Sequence, residues 1–268
     1  MEPGLLRDAL TLLIGLFTGV LSALFGVGGA MVSNPGVRAL GAAPLVAVGT
    51  TLPSLLPGAV SGTIRSQREG LVDWRAVAWV ATAGLPAVVG GALLSRVVPG
   101  KGHLLLLTIA VLLIITGLRT TFTVPNGDDR EEGNPTPAAA RRVTAGWRPA
   151  VIGVAAGVLS GLLGIGGGVV MVPAFTKLLQ LSLKSAIATS LVCVGVFGLP
   201  ATITHAILGH VDWRLAILLT IGVVPGARLG ASLAIRIDER RLRLLVGGFL
   251  GLVGVVYFVA EARALLAL

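Results

Sequence analysis

The chain alternates long apolar runs with short charged stretches. Most of the runs approach the roughly 17–25 residues that an α-helix needs to cross the hydrocarbon core of a bilayer. They fall at residues 5–25, 45–64, 77–95, 104–118, 150–163, 186–208, 215–235 and 244–260. None shows the alternation of a barrel strand, and backbone polar groups in lipid must be satisfied within the segment. The pattern predicts an all-α polytopic membrane protein with about eight membrane segments.

The two halves of the chain repeat each other. Residues 15–29 and 153–167 share the pattern Gly-x3-Gly-x-Leu-Ser-x-Leu-x-Gly-x-Gly-Gly, and an almost constant offset relates Thr50 to Thr189 further along. Helix-breaking glycines at matching places in two apolar halves are typical of the central site of a secondary transporter. We therefore expect a first repeat at residues 1–120 and a second at residues 148–268. A polar linker at residues 121–147 joins them.

Composition agrees with a membrane setting. Hydrophobic residues make up 54% of the chain and charged residues 12%, against roughly one quarter charged in soluble domains. A net charge of +9 would suggest nucleic acid in a soluble protein. Here the arginines lie between apolar runs, so we expect them to face an anionic leaflet and we expect no nucleic-acid partner. Residues 5–25 could imitate a signal peptide, but their pattern recurs inside the chain, so we treat them as structure.

The distribution of charge favours halves of opposite orientation. If each half crossed the membrane four times, the loop arginines and lysines would divide eleven to nine between the two sides. Each half could instead have a Gly-broken, re-entrant or discontinuous first helix and then three transmembrane helices. The division then becomes fourteen to six, which the positive-inside rule prefers. We predict two inverted repeats in the cytoplasmic (inner) membrane, with a cytoplasmic linker and both termini outside.

The doubled motif resembles that of the TauE/SafE family of sulfite exporters. A proline follows the motif in both halves, at Pro35 and Pro173, and a Val-Asp-Trp-Arg sequence follows the second helix, at residues 72–75 and 211–214. The resemblance covers essentially the whole chain except the linker. It implies transport of sulfite, a sulfonate or a related organosulfur anion, and because members differ in substrate it leaves the particular anion open.

Elementary chemistry points to an anion independently. A helix that begins inside the membrane after a glycine cluster offers free N–H donors and the positive end of its dipole. Hydroxyl and amide side chains close to the two breaks, together with one arginine inside an apolar run, could add donors. The candidate substrate-binding residues are Gly26, Gly28, Gly29, Ser33, Asn34, Thr50, Thr51, Gly164, Gly166, Gly167, Gly168, Thr189, Ser190 and Arg228.

Structural alternatives stand beside these assignments. The small-xxx-small spacing of Gly15, Gly19, Gly153, Gly157 and Gly161 predicts helix packing. The hydroxyls could cap a helix or bond back to it, and Arg228 could be paired or snorkel towards the surface. Asp73 and Asp212 are expected to cap helices, with Trp74 and Trp213 as interfacial anchors, and Cys193 is expected to pack in the core.

The sequence favours a secondary transporter that exports a small sulfur-containing oxyanion. An anion channel of the same architecture is the first alternative, and an intramembrane enzyme or a structural scaffold follows. No hydrolase or nucleotide-binding motif occurs, so no enzyme activity and no cofactor are predicted. His205 and His210 are five residues apart, which does not place both on one helical face, so no metal site is predicted. Oligomeric state stays open, as do the roles of His205 and Cys193.

Overall fold

The computed structural model describes residues 4–94, 110–111, 114–115, 117–118, 121, 147–164 and 166–266. Within these ranges all regular secondary structure is helical. The helices are α1 (Leu5–Phe25), α2 (Ala30–Ala39), α3 (Pro44–Thr51), α4 (Leu55–Arg68), α5 (Trp74–Leu94), α6 (Trp147–Leu163), α7 (Gly168–Leu178), α8 (Leu183–Ile207), α9 (Trp213–Arg236) and α10 (Glu239–Leu266).

Among the helices of the described residues, five are long and apolar enough to cross a membrane, namely α1, α5, α8, α9 and α10 up to Val259. α6 and α7 are shorter and also apolar. The run at residues 45–64 is divided, because a 3₁₀ turn at Leu52–Ser54 separates α3 from α4. Pro53 lies in this turn and cannot donate a backbone hydrogen bond, which accounts for the interruption. The run at residues 104–118 lies largely outside the described residues.

Both predicted helix breaks are present, and both begin in the same way. The N–H of Gly26 donates to the Ser22 carbonyl at 2.8 Å, and the N–H of Gly164 donates to the Ser160 carbonyl at 2.9 Å. Gly26 has φ +66° and Gly164 has φ +63°. A left-handed glycine with such a bond is a common helix terminator. The repeated glycines thus end α1 and α6 by one mechanism.

After the first break the chain turns back on itself. Gly29 lies against the side chain of Thr18, and Gly36 lies against Ile14, 2.9 Å from the position a Cβ would take. As residue numbers rise along α2, the residues that they contact on α1 have falling numbers. The two helices form an antiparallel hairpin within the first 40 residues.

The chain divides into two compact units, Met1–Arg96 with Ala145–Arg236, and Val97–Thr144 with Ile237–Leu268. The first unit contains α1 to α9 and so combines helices from both halves of the sequence. The second unit contains α10 and the described helical residues between 110 and 121. In this second unit, a Cβ on Gly117 would lie 2.6 Å from the backbone nitrogen of Gly251, and Gly254 packs against Ile114.

Two glycine-lined helix pairs build the first unit. In the pair of α1 and α9, a Cβ on Gly15 would lie 2.5 Å from the Leu219 carbonyl oxygen, and one on Gly230 would lie 2.9 Å from Val20 Cα. α5 and α6 repeat this arrangement, with Gly153 against Val80 and Gly91 against Val158. In each pair, the numbers of the contacting residues rise together along both helices, so the two helices run parallel.

These glycines let two backbones approach more closely than any side chain would permit. Gly19, Gly157 and Gly161 are likewise in contact with backbone of the partner helix. The predicted packing role of this set is confirmed. The fold therefore uses one device twice, with α1 on α9 and α6 on α5.

Candidate functional site

The two glycine breaks meet inside the first unit. A Cβ on Gly168, the first residue of α7, would lie 2.7 Å from Val27 Cα, in contact with the backbone of the first break. A Cβ on Gly166 would lie 3.7 Å from Gly28 Cα. Residues 26–30 and 166–169 are buried. The N-termini of α2 and α7 thus begin at one buried point.

Several of the clustered glycines adopt backbone angles that side chains disfavour. Gly28 and Gly166 both have φ +82°, and Gly167 has φ +70°. Gly29 differs from its repeat partner Gly167, because its φ of −66° is that of a right-handed helix. At Gly29 the close approach of Thr18, rather than φ, requires glycine. Backbone geometry and packing therefore explain the glycines, and both effects keep side chains out of the meeting point.

The first break is held by the N-terminal part of α8. Ser190 Oγ donates to the Gly26 carbonyl at 2.5 Å, and a Cβ on Gly26 would lie 2.8 Å from Ile187 Cα. The Thr18 hydroxyl is buried next to this break and has no hydrogen-bond partner among the described residues. The second break is held more simply, since Gly164 contacts Val48 and a Cβ on Gly167 would lie 2.5 Å from the Ala156 carbonyl.

Polar side chains gather on the α2 side of the first break. Thr51 Oγ1 donates to Asn34 Oδ1 at 2.7 Å, and both side chains are buried. The Ser33 hydroxyl is 3.2 Å from the Gly29 carbonyl, one turn earlier in its own helix. Bonding back to the helix, the structural alternative for this serine, is therefore observed. Asn34 and Thr51 form a contact between helices that the sequence did not predict.

Thr50 and Thr189 make matching contacts at helix ends. The backbone N–H of Asp212 donates to Thr50 Oγ1 at 2.9 Å, and that of Asp73 donates to Thr189 Oγ1 at 3.0 Å. Both hydroxyl oxygens therefore already join two segments, and each still carries a proton to donate. The carboxylates also cap as predicted, since Asp73 Oδ1 accepts from the N–H of Ala76 at 2.9 Å and Asp212 Oδ1 accepts from the N–H of Leu215 at 3.2 Å.

Arg228 lies in a different environment from the glycine breaks. It is exposed on α9 and lines a cavity of about 350 Å³. The other lining residues are Ser61, Ile64, Arg65, Arg68 and Ser232. They belong to α4 and α9, and none belongs to either break. The structure thus groups Arg228 with two further arginines.

Sequence reasoning missed Thr18 and misjudged the histidine pair. Thr18 in the first repeat corresponds to Ala156 in the second. This change from alanine to a polar residue beside the break is visible in the sequence and could have identified Thr18. The His205 and His210 rings lie 5.6 Å apart between centroids. They meet because α8 ends at Ile207, and Gly209, with φ +72°, turns the chain back. Because His210 lies beyond the end of α8, the spacing of residues on a helix does not describe how far apart the two histidines are. In the part of the chain that the structure describes, no group of three His, Cys, Asp or Glu could hold a metal.

The buried glycine breaks and the long apolar helices define a polytopic α-helical membrane protein. The chain belongs to the sulfite exporter TauE/SafE family, whose profile matches residues 11–257. It is 27% identical over 234 residues to a "Probable membrane transporter protein" of Xylella fastidiosa, covering 85% of each chain. It is 27% identical over 255 residues to "Probable membrane transporter protein YunE" of Bacillus subtilis, covering 90% of this chain and 93% of the relative.

A more distant relative, "Probable membrane transporter protein MJ0441" of Methanocaldococcus jannaschii, is 23% identical over 274 residues and is covered to 95%. No solved structure matches the chain significantly. The family and these relatives make the protein a membrane transporter. The names of these relatives do not state a substrate.

Proposed function

We propose that the protein is a secondary transporter that carries a small sulfur-containing oxyanion, such as sulfite or a sulfonate, out of the cell. The observation that carries this proposal is the meeting of the two breaks, with Gly166 against Gly28 and Gly168 against residues 26 and 27. The first-turn N–H groups of a helix have no partner within the helix. Where α2 and α7 begin together, two dipoles and two sets of donors favour one anion.

The substrate site in this proposal has two sets of groups. The backbone of Gly26, Gly28, Gly29, Gly164, Gly166, Gly167 and Gly168 forms the contact surface for the anion. Amide and hydroxyl donors come first from Asn34, Thr50 and Thr189. Ser33, Thr51 and Ser190 already donate their protons within the protein, so they would bind the anion only by giving up those bonds. Thr18 joins this set, because its buried hydroxyl has no partner among the described residues. Arg228 lies elsewhere on α9, in a cavity that includes no residue of either break, so it is not part of this substrate site.

The packing directions support two inverted repeats. α4 and α9 run parallel, because Gly58 lies against Val223 and Gly62 lies against Ala227. The C-terminal ends of these helices, with Arg68 and Arg236, therefore lie at one face. Repeats of the same orientation would separate these arginines, whereas inverted repeats bring them together. The matching bonds of Thr50 and Thr189 have the reciprocity that a two-fold relation requires.

Further contacts support a single basic face. Lys184 Nζ donates to the Ile235 carbonyl at 3.0 Å, and Ser185 Oγ donates to the Leu71 carbonyl at 2.8 Å. The loop after α4, the start of α8 and the end of α9 are thus neighbours. By the positive-inside rule this face is cytoplasmic. The linker then lies in the cytoplasm and both termini lie outside, in the inner membrane.

The positions of the carboxylates argue against coupling through a buried acid. Asp8 pairs with Arg214 at 2.6 Å, Glu69 with Arg65 at 2.7 Å and Glu239 with Arg243 at 3.6 Å. Asp73 and Asp212 cap helices. An inside-negative potential already favours exit of a monovalent anion by about 2.3 kcal/mol per 100 mV. Export then needs no coupled cation.

Flux measurements in liposomes test this function. The purified full-length protein should give saturable uptake of at least one of sulfite, thiosulfate and sulfoacetate. That uptake should accelerate when the same anion is loaded on the opposite side, with protein-free liposomes as the control. Faster uptake in the presence of substrate on the opposite side requires a carrier whose binding site returns across the membrane with substrate bound. Flux that rises linearly with concentration would favour the channel, and no flux of any sulfur oxyanion would refute the substrate class.

A further inference from the structure

A groove between α4 and α9 carries three arginines close together. Ser61, Ile64, Arg65, Arg68, Arg228 and Ser232 line its cavity of about 350 Å³. The Ser61 hydroxyl is already engaged, since it donates to the Val224 carbonyl at 2.7 Å. The arginines and the Ser232 hydroxyl are therefore the groups that remain for a ligand.

The positive charge of the groove is only partly neutralised. Arg65 pairs with Glu69 at 2.7 Å, and both side chains are substantially exposed. Across the described residues, neither Arg68 nor Arg228 forms an ion pair. Arg228 lies well inside the apolar sequence of α9, where an unpaired charge is costly in a membrane. The site thus calls for an external anion, and guanidinium groups bind phosphate oxygens well in bidentate geometry.

Exposed apolar side chains flank the arginines on the same two helices. Val60 and Ile64 on α4 are 51% and 49% exposed, and Leu229 and Leu233 on α9 are 60% and 44% exposed. In a membrane protein such surfaces contact acyl chains. A free anion in water would gain nothing from them. A ligand with an anionic head and hydrocarbon tails would satisfy both parts of the groove.

We propose that this groove binds an anionic phospholipid, with its phosphate headgroup held by Arg68 and Arg228 and its acyl chains along Val60 and Leu229. The proposal requires only that the protein lies in a membrane, and it does not depend on the transported substrate. It gives Arg228 a partner from the bilayer itself. Basic pockets between transmembrane helices are a common setting for such lipids.

Native mass spectrometry of the detergent-purified full-length protein tests the site. We expect phosphatidylglycerol to remain bound and phosphatidylcholine to dissociate. The double variant Arg68→Gln, Arg228→Gln should bind phosphatidylglycerol at least tenfold more weakly. The matched control Arg75→Gln, Arg241→Gln removes two exposed arginines outside the groove and should bind it normally. The variant Arg68→Lys, Arg228→Lys keeps both charges and should bind within about threefold of the parent.

Four outcomes would overturn the proposal. The first is equal retention of the two lipids, and the second is unchanged binding by the double glutamine variant. The third is equal loss in the control variant, which would show general surface charge. The fourth is full displacement of phosphatidylglycerol by millimolar inorganic phosphate, which would make the groove a site for a free anion. If the glutamine variant fails to fold, Arg228→Gln alone and the lysine variant decide by the same comparison.

Discussion

The first and second helix breaks share a backbone but differ in the side chains around them. Both follow a left-handed glycine that closes a helix, at Gly26 and at Gly164, and both include a glycine with φ +82°. Around the first break stand Thr18, Ser33 and Asn34. The second repeat has Ala156, Met171 and Val172 at the same places. The glycines thus serve a need that both halves share, while these three positions next to the break are polar in the first half alone.

The difference suggests a division of labour within the proposed site. Two symmetric helix ends would attract an anion of any shape, because dipoles and backbone donors carry little shape information. Asn34 and Thr51, joined at 2.7 Å in a buried position, are placed on one side only and could distinguish the substituents of a sulfonate from a bare oxyanion. Affinity for the anion would then come from the two helix N-termini that the repeats share. Selectivity among anions would come from the polar side chains that lie on one side only.

The largest expected effect concerns orientation, and it is all or none. Gly70 and Gly209 are repeat partners, both exposed, both at positive φ, and both without a neighbour within 4 Å of a Cβ position. Gly70→Cys and Gly209→Cys, each in a Cys193→Ala background, should be labelled from opposite sides of the membrane by an impermeant thiol reagent.

The matched backbone angles make the two cysteine variants equally strained, so a difference in labelling reports side alone. Cys193 is buried and lies in α8, so its replacement removes background without exposing new surface. Labelling of both positions from the same side would refute the inverted arrangement. A companion pair, a cysteine at Asn126 in the linker and one at the N-terminus, should also be labelled from opposite sides.

The next largest effect concerns the meeting point of the breaks. Gly166→Leu or Gly28→Leu should reduce flux in liposomes to the protein-free background, because the side chain would fill the space between the two helix N-termini. Gly70→Leu is the control, since Gly70 has φ +66° and open surroundings. It carries the same strain of roughly 1–2 kcal/mol without the obstruction.

Insertion and folding of these variants should be checked by gel filtration and thermal unfolding in detergent. Near-normal flux in the variants of both breaks would remove the glycines from the site. Loss of flux in Gly70→Leu as well would assign the effect to backbone strain. Only loss confined to the breaks agrees with a shared anion site.

A smaller effect should follow from making the first break resemble the second. Asn34→Val introduces the residue found at the matching position and removes the nearer of two acceptors of the Thr51 hydroxyl, leaving the Val48 carbonyl at 3.0 Å. A hydrogen bond of this kind contributes about 1 kcal/mol, so we expect the KM for the preferred anion to rise by roughly fivefold. The ratio of rates between sulfoacetate and sulfite should change as well. Val32→Ala, two residues earlier in α2 and less buried, is the control, and an unchanged ratio in Asn34→Val would place selectivity elsewhere.

Sequence patterns located the elements of the fold well and the neighbours of each residue poorly. The glycine clusters and the repeat predicted the ends of α1 and α6, because a left-handed turn is a local property of glycine. The division of the 45–64 run at Leu52–Ser54 was also local, and Pro53 was its visible cause.

Contacts between distant segments could not be read in this way. Thr51 meets Asn34, and Ser190 meets the Gly26 carbonyl, through the packing of helices whose order in space no single segment encodes. Arg228 was grouped with the breaks because it is a charge in an apolar run, whereas the parallel packing of α4 and α9 places it beside Arg65 and Arg68. Periodicity tells which face of a helix is apolar, and it does not tell which helix covers that face.

The smallest expected effect concerns His205, which also belongs to one repeat only. Its counterpart in the first half is Ser66, whose hydroxyl is 3.4 Å from the Gly62 carbonyl in the same helix. His205 is 1% exposed and its ring lies near that of His210. Histidine is the side chain that ordinarily titrates near neutrality, and His205 is the one buried in the described helices, so it is the candidate for a proton-linked step.

We expect His205→Gln to leave anion flux within about twofold of the parent, because the proposed driving force is the membrane potential. Imposing 100 mV across the liposome should change the final anion ratio by roughly fifty-fold, the equivalent of about 2.3 kcal/mol, and the variant should respond equally. His210→Gln is the matched control. Flux that ignores an imposed potential, follows a pH gradient and disappears in His205→Gln alone would show proton coupling. The asymmetry between the repeats would then lie in energy coupling as well as in selectivity.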